Sequence, residues 1–288
     1  MSKNCNKLII IGAPRSGTNM LRDILCKFSG IGTWPCDEIN YIWRHGNVKY
    51  VTDEFNVDMA RPEVKHFIRG EFDSFAKKEK LNIVVEKTCA NSLRVPFIDA
   101  VIPEAKYIFI VRDGVDTVGS AALRWKAKLD IRYLLKKVRY VPITDLSYYA
   151  IRYFSSRIYR FFSKEGRLSF WGPQFKGLDK ALTQYSLEEV CALQWQRCVE
   201  LSEEAFLNMP KDKVVRVSYE TFVTQPVKEL TRILQDLNID FDESTVKNAV
   251  SGVTDKPVGK GRKALADNDL VNVERLVEST LKKYGYGS

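Results

Sequence analysis

The sequence has few of the residues that build metal sites or covalent cross-links. Only two histidines, His45 and His66, occur among 288 residues, and none of the six cysteines forms a Cys-x-x-Cys pair. With so few nitrogen ligands and no clustered thiols, a zinc site is not expected. Scattered cysteines without that spacing are typical of reduced thiols in a cytosolic protein rather than of a disulfide framework. We therefore predict a protein without a metal.

Long apolar runs and targeting patterns are also missing. No stretch approaches the roughly 20 apolar residues that a transmembrane helix needs. The first residues, MSKNCNKLIIIGA, lack the layout of a secretory signal, so we expect a cytoplasmic protein. A chain of this length with 45% hydrophobic residues supports one large α/β domain or two small ones, and we predict a single domain over 1–288.

Short apolar runs alternate with helical patterns along the chain. Four of these runs predict buried strands of a parallel sheet, and they lie at 8–11, 83–85, 107–111 and 214–217. Helical patterns lie at 18–28, 90–101, 115–127, 186–208 and 226–237. The alternation indicates βαβ units with helices on both faces of the sheet. We predict an α/β fold with a P-loop-like parallel sheet flanked by helices, whose ligands bind beyond the carboxyl ends of the strands.

A glycine-rich loop, GAPRSGT, follows the first predicted strand. Gly12 and Gly17 are five residues apart, as in the phosphate loop of nucleotide-binding proteins. The helix that begins near Thr18 adds its positive N-terminal end, and Arg15 offers a fork of donors to an anion. Thr18 and Asn19 stand where a nucleoside triphosphatase carries lysine and Ser/Thr. The loop therefore favours a phosphate ester or mixed anhydride over magnesium–ATP, which counts against a small-molecule kinase.

A second candidate anion site follows the third predicted strand. Arg112 ends this strand, and Ser120 and Arg124 lie four residues apart, on one face of the next helix. Two guanidinium groups and a hydroxyl near one point suit a phosphate group. A salt bridge from Arg112 to Asp113 or Asp116 is the structural alternative. Two anion sites after two parallel strands predict a nucleotide with phosphates at both ends.

Together the motifs APRSGT and VRDGxDxxxS resemble those of the sulfotransferase family, especially its carbohydrate and protein-tyrosine branches. The resemblance covers the first 125 residues well and 214–262 more weakly. It implies 3′-phosphoadenylyl sulfate (PAPS) as donor, with no metal. The 5′-phosphosulfate would lie at the first loop and the 3′-phosphate at the second. The donor-binding residues that it implies are Arg15, Ser16, Gly17, Thr18 and Asn19 in the first site, and Arg112, Ser120 and Arg124 in the second.

Sulfuryl transfer requires a base for the acceptor hydroxyl and positive charge near the leaving phosphate oxygen. Related branches place a glutamate base shortly after the first helix, which makes Glu38 the candidate and Asp37 the reserve. An acid at a helix N-terminus is the alternative interpretation. The stretch EKTCA resembles the family's lysine–threonine–proline segment, with Cys89 in place of proline, and it implies that Lys87 contacts the transferred group. His45 is a weaker candidate base.

Three further residues are weaker candidates for binding the nucleotide. A fourth residue, Glu86, adjoins the candidate site. Tyr219 resembles the family's tyrosine beside the adenine, although a core tyrosine is an equal alternative. Lys256 and Lys260 lie in a Gly/Lys loop that resembles the one closing over the nucleotide, although a solvated basic loop is equally consistent with the pattern. Glu86 either positions Lys87 or contacts the acceptor.

The net charge of +9 is concentrated in one segment. Between Arg124 and Arg167, twelve lysines and arginines face three acids, a surplus equal to the charge of the whole chain. We predict a basic, aromatic, helical insertion over 126–185. It would contact an anionic membrane surface through 126–165, cover an acidic glycan acceptor, or only pack on the core.

The acceptor is the remaining question at this stage. We predict a saccharide or glycolipid hydroxyl as acceptor, in a cytoplasmic enzyme that does not bind nucleic acid, with peripheral membrane contact as one option. A protein-tyrosine sulfotransferase and a non-catalytic nucleotide- or nucleic-acid-binding protein are the alternatives. Salt-sensitive affinity for DNA or RNA would distinguish the last of these from an enzyme.

Overall fold

The computed structural model describes residues 5–125, 139–146, 149, 151 and 171–287. Five strands form one parallel sheet in the order β2-β3-β1-β4-β5. Their bounds are β1 Asn6–Ile11, β2 Ile31–Gly32, β3 Ile83–Lys87, β4 Lys106–Val111 and β5 Val214–Ser218. The four predicted strands are confirmed, and β2 adds a two-residue edge that is too short to leave a pattern in the sequence.

Helices flank this sheet, as predicted. In chain order they are α1 Thr18–Leu25, α2 Asn40–Trp43, α3 Pro62–Glu79, α4 Val95–Val101, α5 Gly114–Trp125, α6 Leu178–Gln184, α7 Leu187–Leu207, α8 Tyr219–Thr224, α9 Pro226–Asp236, α10 Glu243–Ala249, α11 Lys260–Lys263, α12 Asp267–Leu276 and α13 Glu278–Lys283. The helix expected over 90–101 begins as a 3-10 turn, Cys89–Leu93, and becomes α-helical at Val95. Pro96 lies in the first turn of α4, where its missing N–H costs no hydrogen bond.

The sheet buries both of its faces because successive side chains of a strand point to opposite sides. On β1, Ile9 and Ile11 pack into one apolar cluster with α3, α4, α5 and α7, whereas Leu8 and Ile10 pack into the other with α1 and α9. Full burial of one such side chain contributes about 1.5–3 kcal/mol to stability. This explains why the strands read as continuous apolar runs rather than alternating ones.

The predicted insertion over 126–185 falls largely outside the described residues, which include its end at α6. Most of the segment proposed to contact a membrane, 126–165, also lies outside the described residues. Within the described ranges, no helix is both long and apolar enough to cross a membrane.

Candidate active site

The carboxyl ends of the central strands open into a cavity of about 320 Å³. The loop after β1, the end of β3 and the end of β4 all reach it, as expected for a parallel α/β sheet. The lining includes most of the candidate residues and consists of Pro14, Arg15, Gly17, Thr18, Asn19, Met20, Asp37, Glu38, Lys87, Cys89, Arg112, Trp171, Tyr219 and Pro257. Five candidate donor-binding residues are not among the lining residues: Ser16, Ser120, Arg124, Lys256 and Lys260.

The loop after β1 is shaped as a cradle by two residues with positive φ. Gly17 has φ +88°, and a Cβ there would lie 2.5 Å from the ring of Tyr219, so only glycine fits. Gly17 is also the N-cap of α1 and supplies no side-chain cap, which leaves the first-turn N–H groups at the cavity. The buried hydroxyl of Ser16 has no hydrogen-bond partner among the described residues. These donors suit a bound anion.

Arg15 joins the two predicted anion sites. Its backbone has φ +69°, a conformation that costs a non-glycine residue on the order of 1 kcal/mol. Two contacts hold it there: Arg15 Nε donates to Ser120 Oγ at 2.8 Å, and Arg15 O accepts from Arg112 Nη1 at 3.1 Å. Burial, followed by the charges of Arg124 and Arg112, lowers the pKa of Arg15. The cluster therefore carries a surplus of positive charge.

Arg112 is buried at the end of β4, and its guanidinium lies over the ring of Tyr219 at 4.3 Å. It forms an ion pair with Asp116 and donates to Pro257 O at 2.9 Å. The salt bridge considered as an alternative to anion binding therefore exists. Arg112 Nε nonetheless has no partner among the described residues, so the side chain retains a donor for a ligand.

Asp116 fixes the C-terminal loop that the sequence placed over the nucleotide. Its carboxylate accepts from Gly259 N at 3.1 Å and from Gly261 N at 2.6 Å, besides its pair with Arg112. The sequence analysis treated Asp116 only as a partner of Arg112. The two lysines proposed in this loop, Lys256 and Lys260, are exposed. Pro257, between them, is the loop residue that lines the cavity.

A lysine and two carboxylates form the opposite wall of the cavity. Lys87 Nζ lies 3.0 Å from Glu38 Oε1 and 3.2 Å from Asp37 Oδ1. Burial alone would lower the pKa of Lys87, but the two carboxylates outweigh it and hold that pKa above its usual value. Lys87 is therefore an ammonium. Asp37 is also paired with Arg22 Nη1 at 2.7 Å.

Cys89 stands where the family resemblance expects proline. Its backbone N–H donates to Glu38 Oε1 at 3.2 Å, a hydrogen bond that proline could not make. Its Sγ lies 4.0 Å from Thr18 Oγ1, between the loop and the carboxylates. Burial raises the pKa of the thiol to about 12, so it is neutral and contributes packing and an amide donor.

His45, the competing base, lies elsewhere. Its Nδ1 is 2.8 Å from Asp145 Oδ2, and its ring packs against Phe67 with centroids 3.8 Å apart. It is absent from the residues that line the cavity. Nor does any cluster of three or more His, Cys, Asp or Glu side chains in the described ranges form a metal site.

Comparisons with known proteins identify the family of this chain. The model of the Sulfotransferase family matches residues 7–165 and 158–243, more than half of the chain. The chain therefore belongs to the sulfotransferase family, and it is a sulfotransferase enzyme. The family inferred from the two motifs is confirmed, whereas its carbohydrate or protein-tyrosine branch stays a prediction. A search of the curated proteins found no match.

Solved structures share the fold at low sequence identity. The sulfotransferase domain of the Synechococcus PCC 7002 olefin synthase is 16% identical with a TM-score of 0.55, over 96% of this chain and 95% of that one. The sulfotransferase domain of the curacin biosynthetic pathway is 11% identical with a TM-score of 0.54, over 96% and 99%. Mouse sulfotransferase SULT7A1, complexed with PAP, is 13% identical with a TM-score of 0.50, over 96% and 85%.

Proposed function

We propose that this enzyme transfers a sulfuryl group from 3′-phosphoadenylyl sulfate to an acceptor hydroxyl. One observation carries the proposal: a single cavity joins an uncapped helix N-terminus, a buried arginine at Arg112 and a lysine–carboxylate pair at Lys87 and Glu38. The first two bind phosphate groups, and the third supplies a base and a cation. The mouse relative of this fold was solved with PAP, which supports the same class of nucleotide here.

The described residues fit such a donor. The buried Ser16 hydroxyl and Arg112 Nε lack partners, and both belong to loops at the cavity. We assign Arg15, Ser16, Gly17, Thr18 and Asn19 to the 5′-phosphosulfate, and Arg112, Ser120 and Arg124 to the 3′-phosphate. Tyr219, against Gly17 and Arg112, forms the wall beside the nucleoside, and the loop with Lys256 and Lys260 covers it.

When bound, the donor supplies an activated sulfuryl group on a mixed anhydride with phosphate. Glu38 accepts the proton of the acceptor hydroxyl, and its side chain reaches solvent enough to meet an acceptor, with 25% of its surface exposed. Lys87 stays protonated and donates to the oxygen on which charge develops. The positive end of α1 and Arg15 stabilise the same charge.

The acceptor that we propose is a saccharide or glycolipid hydroxyl. Trp171 lines the same cavity as Glu38 and Lys87 and provides a flat apolar wall for a sugar ring. Its backbone is fixed, since Gln194 Nε2 donates to Trp171 O at 3.0 Å and to Pro173 O at 2.9 Å. The basic segment of the sequence suits an acidic glycan.

Transfer of labelled sulfate tests the proposal. The protein is incubated with sulfur-labelled PAPS in EDTA and with separate pools of saccharides, glycolipids and tyrosine peptides. We expect label in the saccharide or glycolipid pool. Label in the tyrosine peptides alone would favour the protein-tyrosine alternative, and no label together with no donor binding would contradict the proposal.

A further inference from the structure

A buried carboxylate lies directly behind the candidate catalytic pair. Glu86, the residue before Lys87, is 1% exposed at the end of β3. Both of its carboxylate oxygens are hydrogen-bonded: Oε1 accepts from the hydroxyl of Thr88, and Oε2 accepts from Asn91 Nδ2 at 2.8 Å. Burying an ionisable group is costly unless its partners repay the lost hydration. A core position between two strands would be filled more stably by an apolar side chain.

The orientation of this network is set from its far end. Arg94 is fully buried and donates to Asn91 Oδ1 through Nε at 2.9 Å and Nη2 at 2.8 Å. Because the amide oxygen of Asn91 is occupied by a cation, its NH₂ group must face Glu86. The Asn91 amide therefore cannot flip, and it always presents a donor to Glu86 Oε2.

Thr88 carries the network to the candidate base. Its Oγ1 accepts from Ile39 N at 3.2 Å while its single hydroxyl proton points to Glu86. Donation of this proton to Glu86 fixes the rotation of the hydroxyl and so directs its lone pairs, one of which accepts from the backbone of Ile39. Ile39 is the residue directly after Glu38, so this bond fixes the loop that carries the base.

Lys87, Thr88 and Cys89 thus hold the two consecutive residues Glu38 and Ile39 in place. Lys87 and the amide of Cys89 bind the Glu38 carboxylate at 3.0 Å and 3.2 Å, and Thr88 binds the Ile39 amide between them. The first two contacts end on Oε1 of the proposed base, whose charge changes when it takes a proton. The Thr88 contact ends on backbone, so it persists throughout the reaction.

We propose that Glu86, acting through the Thr88 hydroxyl, is a positioning residue that holds the backbone of the catalytic glutamate in register with Lys87. This inference rests on the proposed function. It assigns no contact with donor or acceptor to Glu86, and it makes the hydroxyl of Thr88 the necessary link. Its consequence is a loss of turnover without a loss of donor affinity.

Two substitutions at the link test it. Thr88→Val keeps the shape but removes the hydroxyl, whereas Thr88→Ser keeps the hydroxyl and removes only the methyl group. We expect Thr88→Val to lower kcat by about 100-fold, the effect of a misplaced catalytic group. Affinity for adenosine 3′,5′-bisphosphate should be unchanged, and Thr88→Ser should restore kcat. Unchanged kcat in Thr88→Val, or an equal loss in Thr88→Ser, would overturn the proposal.

Hydrogen exchange at the Ile39 amide supplies a readout that does not depend on activity. We expect faster exchange in Thr88→Val and wild-type protection in Thr88→Ser. If Thr88→Val does not fold, Glu86→Gln takes its place: in either orientation its NH₂ group opposes a donor, the NH₂ of Asn91 or the hydroxyl proton of Thr88, and the same loss of kcat and Ile39 protection is expected. Normal Ile39 protection in the folded variant would overturn the inference even if the protein transfers no sulfate. Absent transfer with altered protection would instead contradict only the proposed function.

Discussion

Lys87 Nζ lies 3.0 Å from Glu38 Oε1, although the two residues are 49 positions apart in sequence. In this arrangement the cation and the base of the proposed reaction neutralise each other. A bound phosphosulfate would offer Lys87 a second anion, and the carboxylate would then be available to the acceptor. In the proposed reaction, this pair would link binding of the donor to activation of the base.

Glu38→Gln should abolish most turnover while leaving donor binding intact. The amide cannot accept the acceptor's proton, and general-base catalysis typically contributes about 10²–10⁴-fold. Labelled-sulfate transfer and bisphosphate titration measure the two quantities. Glu63→Gln, the same change on a glutamate that is 68% exposed, serves as the matched control and should have no effect. Equal turnover in Glu38→Gln and Glu63→Gln would exclude Glu38 as the base.

Arg112→Ala should weaken binding of adenosine 3′,5′-bisphosphate. Loss of a buried, charged donor costs about 2 kcal/mol or more of binding free energy. The melting temperature should also fall, because the buried carboxylate of Asp116 loses the cation with which it is paired. Arg69→Ala, at a surface pair with Glu104, is the control and should change neither quantity much. Wild-type nucleotide affinity in Arg112→Ala would remove this residue from the donor site.

Gly119→Ala should displace the loop over the nucleotide. A Cβ on Gly119 would lie 2.3 Å from Gly261 O, which is backbone and cannot turn aside. Such overpacking costs about 1–3 kcal/mol, and here it would also separate Asp116 from the amides of the loop. We expect weaker bisphosphate binding in calorimetry. Gly70→Ala, at an exposed position of α3 with open space around it, should bind normally and be slightly more stable.

Stability should depend on pH through Glu86. Burial raises its pKa from 4.5 to about 7. Between these values the unfolded chain releases the proton and the folded chain keeps it, so the stabilisation from this group is present below 4.5 and lost as the pH rises through 7. Wild type should therefore lose on the order of 2 kcal/mol relative to Glu86→Gln between about pH 5 and about pH 7.5. Urea unfolding at both pH values measures this; parallel curves would contradict it.

Much of the sheet, and many of the residues that line the candidate site, could be predicted from the sequence. Buried parallel strands leave apolar runs, and a phosphate-binding turn needs glycine at fixed offsets, so β1 and the loop through Gly17 were recognisable locally. The apolar run at 107–111, which Arg112 follows, was recognisable as a buried strand in the same way. These features depend on short stretches of chain in which each residue's role follows from its neighbours.

The contacts that complete the site depend on packing between distant segments. The hydrogen bond from the Gly261 amide to the Asp116 carboxylate joins residues that are 145 positions apart, and no local pattern indicates it. The only available signal was the four-residue spacing of Arg112 and Asp116, which predicts a helical ion pair and not a loop anchor. The bond from Ile39 to Thr88 likewise joins the segment after β2 to the end of β3, and only the strand order reveals that these two strands are neighbours.

Calorimetric titration with adenosine 3′,5′-bisphosphate tests the central claim most directly. The titration is run in EDTA and again with magnesium, with ATP and adenosine 5′-phosphosulfate as competing ligands. The account predicts selective binding of the bisphosphate that is independent of magnesium and is weakened by Arg112→Ala. No binding of the bisphosphate, or a preference for ATP that requires magnesium, would contradict it.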